Sequence, residues 1–167
     1  ARMPEPLSIA SLLAELPGAQ LVHGDAATEV AAIEDSSRRV VPGALFMAIP
    51  GFVSDGHRYL ADAAAAGASA VLVQRDHGQA WHGLTDGPAV IAVDDSRAAM
   101  AQVAAWFHGH PAREIVTIGV TGTDGKTTTS HMLTSVLEAA GAKVGRLGTV
   151  DTYLPGEPGS LRRMPTR

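Results

Sequence analysis

The stretch Ile115-Val-Thr-Ile-Gly-Val-Thr-Gly-Thr-Asp-Gly-Lys-Thr-Thr-Thr129 joins an apolar, β-branched run to a glycine-rich turn and then to a helical pattern. Ile115 to Thr121 reads as a buried strand, and Ser130 to Ala140 reads as a helix. The turn between them is Gly122-Thr-Asp-Gly-Lys-Thr-Thr128. Glycines let successive backbone N–H groups point into one concavity, and a helix N-terminus adds partial positive charge there. Lys126 brings a full positive charge suited to β- and γ-phosphates, and the Thr127 hydroxyl is of the kind that ligates Mg²⁺. The stretch therefore reads as a phosphate-binding loop, with Gly122, Thr123, Asp124, Gly125, Lys126, Thr127 and Thr128 as its nucleotide-contacting residues. A nucleoside triphosphate is the expected ligand. The general pattern G-x-x-x-x-G-K-[ST] places Gly where this chain has Val120, so the match is to a compact variant, G-T-x-G-K-T-T.

Working outward, strands alternate with helices, which indicates an α/β fold. On the amino-terminal side, Ser8 is placed to cap a helix carrying Ile9, Leu12, Leu13 and Leu16. Leu21-Val22 and Val30 to Ile33 read as short strands separated by the polar turn His23-Gly-Asp25. Ala44 to Ile49 is a buried strand ended by Pro50-Gly51. An alanine-rich helix from Tyr59 to Ala66 stops at Gly67, and strands follow at Ala70 to Val73 and Ala89 to Val93. Gln74 to Pro88 reads mainly as loop. Asp94-Asp-Ser96 caps a helix that faces Met100, Val103, Ala104 and Phe107 inward. The boundary falls at His108-Gly-His-Pro-Ala112, giving units 1–110 and 111–167. After the phosphate loop, Gly141 closes the helix and Lys143 to Leu147 forms one more strand. A sheet of this kind normally needs about five or more strands with both faces covered. The chain is thus expected to be a piece of a longer protein, or else to cover its faces by association.

Composition narrows the function classes. The chain has 167 residues, 46% hydrophobic and 18% charged, enough to bury a core. A net charge of −4 and a pI near 5.9 argue against nucleic acid as a partner. There is no cysteine, which suits a reducing compartment. With no signal-like start and no apolar run of membrane length, a cytoplasmic protein without membrane insertion is expected.

Four segments, in order, extend the reading: Ser36-Ser-Arg-Arg-Val-Val-Pro-Gly-Ala-Leu-Phe46, Gly51-Phe-Val-Ser-Asp-Gly-His-Arg-Tyr59, Ala65-Ala-Gly-Ala68 and the phosphate loop itself. Together they resemble the Mur ligases of peptidoglycan synthesis, in particular the UDP-N-acetylmuramoyl-tripeptide synthetase (MurE) branch. Thr123 favours this branch over the similar MurF ligases, which usually carry Ser there. The resemblance implies a MurE/MurF-type amino-terminal domain that holds the UDP end of the substrate, then an incomplete P-loop Rossmann-like ATPase domain. The family's D-S-R turn corresponds to Ser36-Ser37-Arg38, so Ser37 matches the UDP-contacting serine. Ser36 stands where Asp is usual, and Asp35, one place earlier, is taken with Ser37 as a UDP-binding residue. Phe52, Val53 and Ser54 match the loop that touches uridine and diphosphate.

The implied reaction is an ATP-dependent ligation of a third amino acid, diaminopimelate or lysine, to UDP-MurNAc-L-Ala-D-Glu through an acyl phosphate, with ATP and Mg²⁺ as cofactors. The resemblance also implies small-molecule partners only and a monomer, association of such a piece being the alternative. Lys126 is the catalytic candidate and Thr127 the metal ligand. This chain alone is expected to be inactive, because later elements of the family are not in it. Asp124 replaces the family's usual Asn, and its carboxylate points either at Mg²⁺ or at solvent. A non-catalytic nucleotide-binding module, a MurF-type ligase and another P-loop NTPase remain as alternatives. Elsewhere, His108 and His110 are read as structural rather than as a metal pair, Asp94 and Asp95 as capping residues, Arg162-Arg163 as a solvated loop, and Trp81 and Trp106 as packing residues.

Overall fold

The computed structural model describes residues 7–51, 54–84, 87–148, 151–155 and 162–163. The chain divides into two compact units, Ala1–Ile115 and Val116–Arg167.

In the first unit, helix α1 (Ile9–Glu15) starts at Ser8 in a capping box: Ser11 N–H donates to Ser8 Oγ and Ser8 N–H to Ser11 Oγ. Strands follow as β1 (Gln20–His23), β2 (Ala32–Glu34), β3 (Ala44–Met47), β4 (Ala70–Gln74) and β5 (Ala89–Val93), with α2 (Leu60–Ala65) before β4 and α3 (Ser96–Phe107) after β5. They form one sheet in the order β1-β5-β4-β3-β2. β2 to β5 run parallel, and β1 lies antiparallel against β5. Every residue of β3 and β5, and all of β4 except Gln74, is buried. Such continuous apolar strands are what a parallel sheet covered on both faces requires.

Alternate residues serve the two faces. Leu45, Met47, Leu72 and Ile91 pack against Ile9, Leu12, Val103 and Trp106 of α1 and α3. Phe46, Val71, Val73 and Val90 pack against Leu60 and Ala63 of α2, with Trp81 at the margin. Trp106 also donates its indole N–H to Ser11 Oγ at 3.2 Å, tying α3 to α1.

One element differs in kind from the sequence expectation here, and two expected strands take places that the sequence left open. The segments around Leu21 and Ile33 are strands but not neighbours: β1 and β2 occupy opposite edges of the sheet. The backbone reverses at Gly24, whose φ of +94° favours glycine. Residues Arg75–Trp81, expected as loop, form 3-10 turns. They let Trp81 cover the second face of the sheet.

In the second unit, the expected strand from Ile115 to Thr121 does not form. Ile115, Val116 and Ile118 are 64%, 90% and 53% exposed. A strand is stabilised by its cross-strand partners, and among the described residues none pairs with this segment. Helix α4 runs from Lys126 to Ala139, four residues earlier than the apolar pattern suggests, and Gly141 follows it at φ +87°. Short strands β6 (Arg146–Leu147), β7 (Asp151–Tyr153) and β8 (Arg162–Arg163) make an antiparallel sheet. Arg162-Arg163 is therefore strand rather than loop, and the strand expected from Lys143 begins only at Arg146. Arg146 joins both oxygens of the buried Asp151 at 3.0 Å, and Tyr153 donates to Glu138 at 2.7 Å. No helix among the described residues is long and apolar enough to cross a membrane.

Candidate functional site

Two candidate sites arise, one in each unit. In the first unit, four parallel strands deliver their carboxyl ends to one edge, which is where open α/β sheets bind ligands. The turn after β2 carries Asp35, Ser36 and the 3-10 turn Ser37–Arg39. Ser37 is half-buried, whereas Asp35 is exposed and accepts a hydrogen bond from Arg39. Glu34 takes the Nε–H of the same guanidinium at 2.9 Å. The hydrogen bond and charge of Glu34, with the charge of Asp35, raise the Arg39 pKa above its ordinary value. Asp35 is thus held within the turn through Oδ1 while staying exposed, and the half-buried Ser37 lies two positions on.

After β3, Gly51 N–H donates to the Ser54 carbonyl at 3.0 Å. Phe52 and Val53 lie outside the described residues. Ser54 is exposed, and its hydroxyl is 3.0 Å from that of Tyr59. Asp55 caps the 3-10 turn Gly56–Tyr59 by accepting His57 N–H. Partial burial pushes the Asp55 carboxyl up, but hydrogen bonds from the His57 backbone and ring, with the charges of His57 and His77, hold it below the usual carboxylate range. After β4 come Arg75, Asp76 and His77, none of which the sequence motifs single out. Asp55, His57, Arg58, Arg75, Asp76 and His77 line a shared groove of 780 Å³. Asp55, His57 and Arg58 belong to the segment from Gly51 to Tyr59 that the sequence singles out, whereas Arg75, Asp76 and His77 carry no signal beyond following an apolar strand.

The second site is the phosphate loop. Gly122 and Gly125 have φ of +149° and +75°, conformations that side chains with a Cβ rarely adopt. Gly125 is the N-cap, so Lys126, Thr127 and Thr128 form the first turn of α4. Their backbone N–H groups belong to the helix end that has no intrahelical acceptors. All seven residues from Gly122 to Thr128 are exposed. Lys126 Nζ donates to the Gly122 carbonyl at 2.5 Å and to the Thr123 carbonyl at 3.1 Å. Its ammonium folds back over the turn, with two of its three N–H groups given to these carbonyls. Among the described residues, no protein group engages the Asp124 carboxylate or the Thr127 hydroxyl.

The weaker candidates take structural places. Asp95 caps α3, accepting Arg97 and Ala98 N–H, each at 2.9 Å, while Asp94 accepts from Arg75. His110 lies 3.4 Å from Glu15, and His108 sits at the α3 carboxyl end against Phe107.

Residues 29–108 match the Mur ligase family, catalytic domain, and residues 120–164 match the Mur ligase middle domain. The chain belongs to the Mur ligase family. Among the curated proteins this Mur ligase chain is similar to, UDP-N-acetylmuramyl-tripeptide synthetase of Roseiflexus sp. (strain RS-1) is 48% identical over 123 residues, covering 74% of this chain and 23% of that protein. UDP-N-acetylmuramoyl-L-alanyl-D-glutamate--2,6-diaminopimelate ligase of Geobacillus thermodenitrificans (strain NG80-2) is 41% identical over 148 residues, covering 89% and 29%. Among solved structures, MurF from Acinetobacter baumannii superposes with a TM-score of 0.58 at 28% identity, over 81% of this chain and 28% of that one. This Mur ligase chain thus spans 23% and 29% of the length of the two curated relatives named.

Proposed function

We propose that this chain supplies the UDP-holding and phosphate-binding parts of an ATP-dependent ligase of peptidoglycan synthesis. That ligase adds diaminopimelate or lysine to UDP-MurNAc-L-Ala-D-Glu. The observation that carries the reading is the start of α4: two glycines with positive φ, then Lys126 and Thr127 on an exposed helix N-terminus. It is supported by 48% identity to a protein named tripeptide synthetase.

In this reading the first unit binds the nucleotide end through Ser37 and the loop holding Phe52, Val53 and Ser54. ATP is bound by the turn from Gly122 to Thr128. Its γ-phosphoryl group passes to the free carboxylate of the substrate, releasing ADP, and the amine of the incoming amino acid then displaces phosphate from the acyl phosphate. Loop N–H groups and Lys126 stabilise charge on the transferring group. Thr127 would hold Mg²⁺, whose charge neutralises the phosphate oxygens. Its exposed hydroxyl, with no protein partner among the described residues, fits that role. Asp124 is exposed and equally unpartnered among the described residues, a place from which its carboxylate meets either Mg²⁺ or solvent.

A MurF-type ligase is the second reading, favoured by the superposition on MurF. The two separate in one assay of the protein that carries this chain. ATP-dependent conversion of UDP-MurNAc-L-Ala-D-Glu to a tripeptide, abolished by Lys126→Ala, is expected. Conversion only of a UDP-MurNAc-tripeptide with D-Ala-D-Ala would establish the MurF reading, and no ligation of either kind would leave a binding module.

A further inference from the structure

The loop 51–54, which leaves β3 and returns to the 3-10 turn Gly56–Tyr59, stands on a short antiparallel stem. Gly56 N–H donates to the Ile49 carbonyl at 3.1 Å, and Gly51 N–H to the Ser54 carbonyl at 3.0 Å. Pro50 and Asp55 face each other between these two bonds. In an antiparallel ladder such a pair exchanges no hydrogen bonds of its own, so the backbone polar groups of Pro50 point out of the stem. Proline suits the place because it has no N–H to leave unpaired. Its outward carbonyl still needs a donor.

Arg97 supplies one. Its Nη2 donates to the Pro50 carbonyl at 2.5 Å, across 47 positions of sequence. The guanidinium comes from the first turn of α3, and that turn is itself fixed. Asp95 accepts the Arg97 and Ala98 N–H groups, each at 2.9 Å. The buried Ser96 donates its N–H and hydroxyl to Gln74 Oε1 at 3.3 and 3.4 Å. Gln74 N–H in turn donates to His57 Nε2 at 2.9 Å, and His57 Nδ1 lies 2.7 Å from Asp55 Oδ1. The start of α3 therefore holds both arms of the stem, the outgoing one directly through Arg97 and the returning one through Gln74 and His57. Since α3 packs on the sheet through Ala99, Val103 and Trp106, the loop takes its position from the core.

We propose that Arg97 is a positioning residue for nucleotide recognition: it acts through Pro50 to hold the loop 51–54 in the pose that receives the nucleotide end of the substrate. The inference rests on the reading that this loop takes UDP. A guanidinium donating to a carbonyl makes a charge-assisted hydrogen bond, stronger than a neutral one. A loop already held in its bound pose loses less conformational freedom when the ligand arrives. Arg97 is exposed, so shortening it opens no cavity in the core.

The test is calorimetric titration of the whole chain with UDP, beside amide hydrogen exchange of the ligand-free chain. Arg97→Ala should weaken UDP binding by about fivefold or more and speed exchange at Gly51 and Gly56, with the native cooperative urea transition kept. Arg97→Lys retains a charged donor on a long stem and should stay within about threefold of native affinity. Exchange is measured without UDP, so it separates a released loop from the mere loss of a positive charge near a diphosphate. Native UDP affinity in Arg97→Ala would overturn the proposal, and so would weakened affinity with unchanged exchange at both glycines. Failure of the native chain to bind UDP would refute the nucleotide reading itself, and this inference with it.

Discussion

Asp95 accepts two of the orphan N–H groups at the start of α3, and removing such a cap typically costs about 1 kcal/mol. Asp95→Ala should therefore lower the urea midpoint of the first unit with little change in m. Gly24 is held at φ +94°, and a Cβ there would lie 2.6 Å from both Cα and Cβ of Ala89. Gly24→Ala must push β1 off β5, so a loss above about 1 kcal/mol is expected in the same measurement. Asp55 gives a pH dependence. Its folded pKa is depressed, so its contribution is present above the unfolded value, about 4, and is lost as pH falls through the folded value. Urea midpoints measured from neutral pH downward should fall more steeply below about pH 4 in the native chain than in Asp55→Asn. An identical acid limb in the two would show that the carboxylate is not held by His57. The Asp95 cap could be read from the sequence because Asp-Asp-Ser before an apolar helix is a local pattern. The clamp of His57 on Asp55 and Gln74 could not, because His57 and Gln74 are separated by 17 positions and meet only when β3 and β4 pair.

At the level of elements, β3, β4 and β5 were legible because strands buried on both faces must be apolar throughout. Their order was not, since nothing local tells β1 that its partner is β5. The segment from Ile115 to Thr121 shows the converse: β-branched apolar residues describe a strand only if a neighbour exists to pair with it. Similarly, α4 starts at Lys126 rather than Ser130, because threonines of modest helix propensity hide a start that Gly125 permits. The unpaired segment bears on the phosphate loop. Ordering residues on binding costs roughly 1 kcal/mol or more for each, so a loop not held by a paired strand binds weakly. Calorimetry of this chain with Mg-ATP should show no micromolar binding, and amides 116–121 should exchange rapidly. Micromolar binding that disappears in Lys126→Ala would show instead that the loop is already organised.

For the whole molecule, the first unit holds a complete core, with α1 and α3 on one sheet face and α2 on the other. Residues 1–115 alone should unfold in a single cooperative urea transition, and a broad, non-cooperative melt would contradict that. The class α/β was legible from the alternation of strands and helices, and the family from four segments in order. The groove cluster was not, because side chains from separate loops compose it. Whether that edge of the sheet holds the nucleotide end of a Mur ligase substrate is settled most directly by titrating the 167-residue chain with UDP and with UDP-MurNAc-L-Ala-D-Glu. The two should bind with similar affinity, and Ser37→Ala should weaken both roughly fivefold, the loss of one hydrogen bond worth ~1 kcal/mol. Failure of UDP to bind, or binding untouched by Ser37→Ala, would contradict the assignment.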